Sequence, residues 1–263
     1  MSGRNPSQQM LGLALAVLLL AGCGGAQVEP AVVPEPPTAT PAPIVWDYVV
    51  LGDSIASTFP RHYADHIEAD LGVEVAVHYW NRGSQGSTSM LRALGDHEEL
   101  RSDIREAEVV TFYVSVKHIQ WPITEYMAGT CGGPDNQDCL REALALLKAD
   151  TDAIIAEILS LRSTSDTIIR AMTYYNFKVN AFKMDGSFED LNPYWVAHNE
   201  YLIQAAFEHN IPVARVDLAF NGPNLDEDPS DRGYVSDGTH PNPEGAALIA
   251  EVFRELGYEP LAP

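Results

Sequence analysis

Short apolar runs and longer segments of helical periodicity alternate along most of the sequence. The short runs are rich in Val, Ile and Tyr, which favour strands, whereas the longer segments repeat apolar residues every three or four positions. Strands that are joined by helices form βαβ units, and such units build a parallel sheet covered by helices on both faces. The predicted strands are 46–52, 73–80, 109–116, 167–175 and 212–220, and the predicted helices are 60–71, 87–107, 138–162, 193–209 and 242–256.

The alternation predicts an α/β fold, a three-layer α/β/α sandwich around a five-stranded, mainly parallel sheet of the flavodoxin-like kind. Residues 44–263, about 220 in number, suit one such domain with a sizeable core. Ligands of these sheets bind beyond the carboxyl ends of the strands. Reactive side chains are therefore expected where the predicted strands end.

An apolar run of 13 residues, 10–22, lies close to the N-terminus and is too short to span a bilayer comfortably as a helix. Arg4 precedes it and small residues follow, which is the layout of a secretory signal. The run ends in Leu-Ala-Gly-Cys, which resembles the lipobox of bacterial lipoproteins. The resemblance implies a signal peptide at 1–22 and an exported, cell-surface lipoprotein anchored at the bacterial membrane through a lipidated Cys23. The alternative is an ordinary signal cleaved nearby, with Cys23 incidental.

Residues 23–43 would then hold the lipidated cysteine and a tether in which six prolines interrupt Ala, Val and Thr. Such a stretch is extended and semi-rigid, and it holds a domain away from a surface. The chain carries a formal net charge of −21 at pH 7, which argues against nucleic acid and against electrostatic docking on anionic lipid. Membrane contact is therefore expected through the lipid anchor only.

Two further cysteines, Cys131 and Cys139, bracket seven loop-forming residues. In an exported protein this spacing favours a local disulfide. A metal site would need more ligands than the neighbouring sequence offers. We therefore predict a disulfide between these two residues.

Two short motifs follow or precede predicted elements. Ser54, in Gly-Asp-Ser, comes directly after the first strand, and Asp237 and His240 lie three residues apart on a Gly- and Pro-containing turn before the last helix. A carboxylate so placed can accept from one imidazole nitrogen while the other faces outward, which is the base and orienting half of a hydrolytic triad. Taken singly, each motif is weak, because Ser is a common helix cap and Asp-x-x-His is common in surface loops.

Together the motifs resemble those of the SGNH/GDSL hydrolase family, and the resemblance spans residues 46–256. It implies that Ser54 is the nucleophile, His240 the base and Asp237 its orienting partner. A glycine after the second strand donates its N–H to the oxyanion in this family, together with the N–H of the nucleophile. Gly86 is the matching glycine, with Gly83 slightly before it.

One block departs from the family pattern. The family usually has Gly-x-Asn-Asp after the third strand, and its Asn side chain is a third oxyanion donor. The matching residues 115–118 read Ser-Val-Lys-His, with Lys117 at the Asn position. An ammonium can donate to an oxyanion, but its long flexible stem reduces preorganisation. We expect Lys117 within reach of Ser54 and His240, and leave open whether it acts as a donor and what His118 does.

The predicted function is extracytoplasmic serine hydrolysis of a carboxylic ester, acyl or acetyl, of a small-molecule, lipid or glycan substrate. No cofactor is needed for this chemistry, and we expect a monomer. The alternative is a catalytically weakened or inactive protein of the same fold that binds a glycan or lipid. Lys117 is the only support for this alternative, because the Ser, Gly, Asp and His positions match the family.

Metal sites are disfavoured. His62 and His66 have the i, i+4 spacing of a helical metal site, but no Glu follows His62 and the segment has the composition of a solvated helix face. Asp226, Asp228 and Asp231 lack the spacing of a calcium-binding EF-hand loop. We therefore predict no bound metal.

Overall fold

The computed structural model describes residues 44–80 and 86–261. The predicted signal peptide, the predicted lipidation site Cys23, the predicted tether and Gly83 lie outside these residues. Over the part of the chain that is described, no helix combines the length and the apolar character that crossing a membrane requires.

Five parallel strands form the sheet, in the order β2-β1-β3-β4-β5. This is the flavodoxin-like order, so the predicted fold class is confirmed. The register places Leu51, the last residue of β1, opposite Trp80 of β2 and Phe112 of β3. The carboxyl ends of these three neighbouring strands therefore meet at one end of the sheet. The strands are β1 Val45–Leu51, β2 Glu74–Trp80, β3 Val109–Phe112, β4 Ile168–Met172 and β5 Val213–Ala214.

Helices cover the sheet in two layers. Helix α1 packs against α9, while α5 packs against α2, α4 and α7. Stacked rings of Phe59 and Phe253, with centroids 5.4 Å apart, join the start of α1 to α9. The helices are α1 Pro60–Leu71, α2 Ser87–Asp96, α3 Glu98–Glu106, α4 Lys117–Met127, α5 Asp138–Leu161, α6 Val179–Asp185, α7 Phe188–Glu208, α8 Val216–Asn221 and α9 Pro243–Arg254.

Three predicted strands end several residues earlier than expected, and one of them, β4, ends at Met172 instead of at residue 175. The prediction of strand is wrong over 113–116, where the chain leaves the sheet and then enters α4, a helix that the sequence analysis did not find. It is also wrong over 216–220, which form most of α8. There the Asp217 carboxylate accepts from the N–H of Leu218 and from the Thr173 hydroxyl, which turns the chain away from an extended path. Apolar residues in both stretches are buried by loops and helices rather than by strand pairing.

Other differences are smaller. The predicted helix 87–107 is two helices, because His97 has an extended backbone between α2 and α3. Helix α6 was also not predicted, and α7 begins earlier than expected, at Phe188. The predicted disulfide between Cys131 and Cys139 is present, with Cα atoms 5.0 Å apart, and it closes the loop before α5.

A buried histidine on α7 supports the segment that follows β3. His198 is fully buried, and its Nε2 lies 3.0 Å from the backbone carbonyl oxygen of Val114. A carbonyl can only accept, so Nε2 carries a proton and donates it to this bond. Burial lowers the pKa of His198 from its ordinary value of 6.5 to about 4.

This histidine should make the fold sensitive to acid. Below pH 6.5 the unfolded chain binds a proton at residue 198, whereas the folded chain binds it only near pH 4. The free energy of unfolding should therefore fall with pH across this window, by up to about 3 kcal/mol from this group. Denaturant unfolding of wild type and His198→Gln at pH 7 and pH 4.5 measures the effect, because the glutamine amide can still donate to Val114. If the free energy of unfolding falls by the same amount in wild type and in His198→Gln between pH 7 and pH 4.5, the prediction is contradicted.

Candidate active site

Ser54, His240 and Asp237 form one hydrogen-bonded chain. Ser54 Oγ lies 2.8 Å from His240 Nε2, and His240 Nδ1 lies 2.7 Å from Asp237 Oδ2. An ionised carboxylate only accepts, so Nδ1 carries the proton and Nε2 is left to accept from the serine hydroxyl. The structure therefore brings together the three side chains that the sequence predicted, although 186 residues separate the serine from the histidine.

The turn before α9 holds the imidazole through Asp237. The other carboxylate oxygen, Oδ1, accepts from the backbone N–H groups of Thr239 and His240, at 3.0 and 2.7 Å. The Tyr175 hydroxyl anchors the same turn by donating to the carbonyl of Thr239. The backbone and imidazole donors of His240 lower the pKa of Asp237 to about 2. The carboxylate is therefore ionised throughout the pH range in which such a site would operate.

A second carboxylate, Asp53, lies buried beneath the serine. Asp53 Oδ1 accepts from the N–H of Ile55 at 3.0 Å and from the Tyr113 hydroxyl at 2.6 Å. Asp53 Oδ2 accepts from the hydroxyls of Ser115 and Tyr174, at 2.8 and 3.0 Å. Tyr113 and Ser115 follow β3, and Tyr174 follows β4. The carboxylate therefore ties together the carboxyl ends of three strands next to Ser54.

Tyr113 also fixes the backbone around the serine. Its hydroxyl oxygen accepts from the N–H groups of Asp53 and Ala56, at 2.9 and 2.8 Å, while its proton goes to the Asp53 carboxylate. Its ring lies so close to Gly52 that a Cβ there would stand 2.3 Å from it, which explains the glycine. Burial, reinforced by the charge of Asp53, holds the pKa of Tyr113 and of Tyr174 well above the usual range, so both remain donors.

The family comparison agrees with this geometry. The family model described as GDSL-like Lipase/Acylhydrolase matches residues 48–253, from β1 to α9. The chain belongs to the GDSL-like lipase/acylhydrolase family. This membership confirms the resemblance to SGNH/GDSL hydrolases that the motifs indicated. A comparison with curated proteins gives no significant match.

Solved structures of two lipases and a phospholipase share the fold. The lipase Lip_vut3 from a goat rumen metagenome is 19% identical, with a TM-score of 0.68, and the match covers 82% of this chain and all of that one. Phospholipase A1 from Streptomyces albidoflavus is 13% identical, with a TM-score of 0.55, over 80% of this chain and 98% of the other. The lipase/acylhydrolase from Enterococcus faecalis is 16% identical, with a TM-score of 0.52, and the match covers 80% of this chain and 95% of that one.

The predicted oxyanion donors of this GDSL-family protein are two backbone N–H groups. Ser54 begins a short 3₁₀ turn after β1, and Gly86 is the residue before α2. Within residues 44–80 and 86–261, neither N–H has a hydrogen-bond acceptor. Both belong to positions at which the family supplies oxyanion donors. The arrangement therefore fits the prediction for Ser54 and Gly86.

Lys117 and His118 open helix α4 and face different surroundings. Lys117 lines an open groove of about 670 Å³ with Gln120, Trp121 and Thr124, and Trp121 is 80% exposed. Among the residues that the structure describes, Lys117 forms no ion pair with a carboxylate, including Asp53 and Asp237. His118 instead lies against Gly86. The role of Lys117 as a third oxyanion donor stays a prediction.

The remaining candidate residues take part in local contacts. His66 Nε2 lies 3.4 Å from a Glu251 oxygen across α1 and α9. Asp228 and Asp231 accept from the backbone and side chain of Asn180, which ties their loop to α6. Among the described residues, no three His, Cys, Asp or Glu side chains are grouped as a metal site.

Asp53→Asn should weaken both the fold and the activity. In the variant an amide nitrogen, which can only donate, would replace one carboxylate oxygen. The two groups that donate to that oxygen would lose their acceptor in this network. We expect a loss of about 2–3 kcal/mol in the free energy of unfolding, with reduced esterase activity because Ser54 loses its support. Denaturant unfolding and hydrolysis of a short p-nitrophenyl ester measure the two effects.

Asp65→Asn is the control for this substitution. Asp65 is an exposed residue of α1 that pairs with Arg61 four residues earlier, and such pairs contribute little. This variant should keep wild-type stability within about 0.5 kcal/mol and keep its activity. A loss for Asp53→Asn no larger than that of the control would contradict the proposed support.

Proposed function

We propose that this protein is an extracytoplasmic serine hydrolase that cleaves carboxylic esters through Ser54, His240 and Asp237. The observation that carries the proposal is the unbroken chain from Ser54 Oγ through the imidazole to the Asp237 carboxylate, with contacts of 2.8 and 2.7 Å. This is the geometry by which a histidine activates a serine hydroxyl. Family membership supports the same reaction class.

In the proposed reaction, Ser54 Oγ attacks the ester carbonyl while His240 Nε2 takes its proton. Asp237 stabilises the imidazolium that forms and keeps the tautomer that this step requires. The proton then passes from Nε2 to the oxygen of the leaving alcohol. Water repeats the sequence on the acyl-enzyme, which releases the acid and restores the serine. No cofactor takes part in any of these steps.

The N–H groups of Ser54 and Gly86 would bind the oxyanion in each tetrahedral intermediate. Donors placed in advance at this position stabilise charge that develops only in the transition state. Lys117 is the third proposed donor. It lies in the first turn of α4, where the helix dipole disfavours a cation by about 0.3–1 kcal/mol.

The substrate proposed is a lipid or glycan ester, or a smaller acyl or acetyl ester. One of the similar structures is a phospholipase A1 and two are lipases, which supports an acyl ester of a lipid. The triad side chains are partly open to solvent, with His240 39% and Asp237 55% exposed, which suits a substrate presented by a larger molecule. We also propose export and anchoring through Cys23, on the strength of the N-terminal sequence alone.

The second candidate function is binding of a glycan or lipid without turnover. The lysine at the family's Asn position favours it, since loss of one oxyanion donor typically slows such reactions about 10²–10³-fold. A fluorophosphonate probe separates the two. Labelling that disappears in Ser54→Ala supports the enzyme, whereas folded protein that resists labelling supports the binder.

Ser54→Ala should abolish hydrolysis of a short p-nitrophenyl ester by the purified domain, because it removes the hydroxyl that lies 2.8 Å from His240 Nε2. Ser57→Ala is the control, since Ser57 lies in the same 3₁₀ turn and donates only to the carbonyl of Ser54. The control should retain most of the activity. Unchanged hydrolysis by Ser54→Ala would overturn the assignment.

Lys117→Asn should raise the rate of ester turnover, because it restores a short amide donor of fixed geometry at the family's Asn position. The change should not destabilise α4, because Asn removes a cation from the helix N-terminus. Values of kcat for wild type, Lys117→Asn and Lys117→Ala measure the effect. If both variants are slower than wild type, the cation itself serves the reaction.

A further inference from the structure

Gly86 is a glycine for reasons of space rather than of backbone conformation. Its φ is −67°, a value that any residue adopts. A Cβ built on it would instead stand 2.8 Å from Nε2 of His118 and 3.1 Å from another ring atom. The imidazole of His118 therefore fills the place of the missing side chain and packs on the backbone whose N–H is the proposed oxyanion donor.

The same imidazole nitrogen belongs to a polar chain that ends in a buried carboxylate. His118 Nε2 lies 3.2 Å from Thr88 Oγ1, and Thr88 Oγ1 donates to Asp150 Oδ2 at 2.8 Å. Ser87 Oγ donates to the same carboxylate oxygen at 2.6 Å. Because the threonine proton is committed to Asp150, the threonine oxygen can only accept from His118. Nε2 of His118 therefore carries a proton.

Three elements meet in this chain. Asp150 lies in the middle of α5 and is 6% exposed, Ser87 and Thr88 form the first turn of α2, and His118 lies in the first turn of α4. The negative charge of Asp150 is placed at the N-terminus of α2, where the helix dipole favours it. The carboxylate therefore binds the first turn of α2, and the imidazole contacts Gly86, the residue just before it.

We propose that His118, acting through Thr88 and Asp150, is a positioning residue that holds the Gly86 N–H toward the oxyanion. The proposal rests on the proposed function and assigns a role that the catalytic chain does not cover. A donor contributes to catalysis only when it is held at the site where charge develops, and a displacement near 1 Å can cost about 10²-fold in rate. The His118 ring packs on Gly86 itself, and the Asp150 carboxylate holds the two residues that follow it, Ser87 and Thr88.

The test is Thr88→Val, which keeps the side-chain volume and removes both hydrogen bonds of the hydroxyl. We expect kcat on a short p-nitrophenyl ester to fall about 10- to 100-fold with KM nearly unchanged. Binding of a boronic acid, which forms a tetrahedral adduct with the serine, should weaken by a similar factor. Thr88→Ser, which restores the hydroxyl, should recover most of the rate.

Thr151→Val is the matched control. Thr151 is a buried threonine next to Asp150 whose hydroxyl donates only within its own helix, to the carbonyl of Leu147. It should leave kcat and boronic acid binding unchanged. Thermal unfolding of each variant shows that the protein is folded at the assay temperature. If Thr88→Val keeps wild-type kcat and boronic acid affinity, or loses both no more than Thr151→Val does, the proposal is overturned.

A double-mutant cycle makes a second, independent test. Gly86→Ala should expel the His118 ring, so Gly86→Ala and His118→Ala disrupt the same contact and their effects on kcat should not multiply. Multiplicative losses in the double variant would contradict the proposal. The activity of the wild-type protein distinguishes failure of the positioning role from failure of the proposed hydrolase function. Ser54-dependent hydrolysis with an insensitive Thr88→Val overturns the positioning role alone, whereas absence of Ser54-dependent hydrolysis in wild type overturns both.

Discussion

The buried carboxylate of Asp53 is the interaction on which the rest of the site depends. It lies at the carboxyl end of β1 and accepts four hydrogen bonds, three of them from side chains that follow β3 and β4. An ionised group is tolerated in such a place only when its oxygens are satisfied. The four donors meet that condition and fix the spacing of three strand ends. Ser54 is the next residue along the chain, so its position follows from this network.

The site combines a rigid floor with an open upper side. Asp53, Tyr113 and Ser115 are almost completely buried, whereas His240 and Asp237 are partly exposed. The turn that carries His240 is nevertheless ordered, because Asp237 accepts from two of its own backbone N–H groups and Tyr175 holds the turn from below. Ser54 is held by buried groups beneath it, and His240 is held within its own turn. The two side chains can therefore contact each other and still remain accessible to a substrate.

The sequence predicted those features that depend on neighbouring residues. Strand β1, helices α1 and α9, and the candidate residues Ser54, Asp237 and His240, which the fold brings together, were accessible because each rests on a short motif or a local period. The partners of Asp53 were not, because Tyr113, Ser115 and Tyr174 lie 60 or more residues away and only the folded sheet brings them together. The end of β3 was misplaced for a related reason. Val114 and Val116 are buried like strand residues, but the chain has already left the sheet.

Hydrogen-bond capacity explains why the distant Asp237, and not the adjacent Asp53, orients the histidine. A carboxylate offers about four acceptor sites, two on each oxygen. Asp53 has two donors on each of its oxygens, so no site remains for an imidazole. Asp237 accepts two backbone donors on Oδ1 and the imidazole alone on Oδ2. The two carboxylates therefore have different roles because their acceptor sites are differently occupied. Asp53, whose sites are all occupied, fixes the strand ends, and Asp237 has a site left to bind His240. Any substitution that removes a donor from Asp53 leaves a free acceptor site beside Ser54. That site could disturb the position of Ser54 and compete with Asp237 for the imidazole of His240.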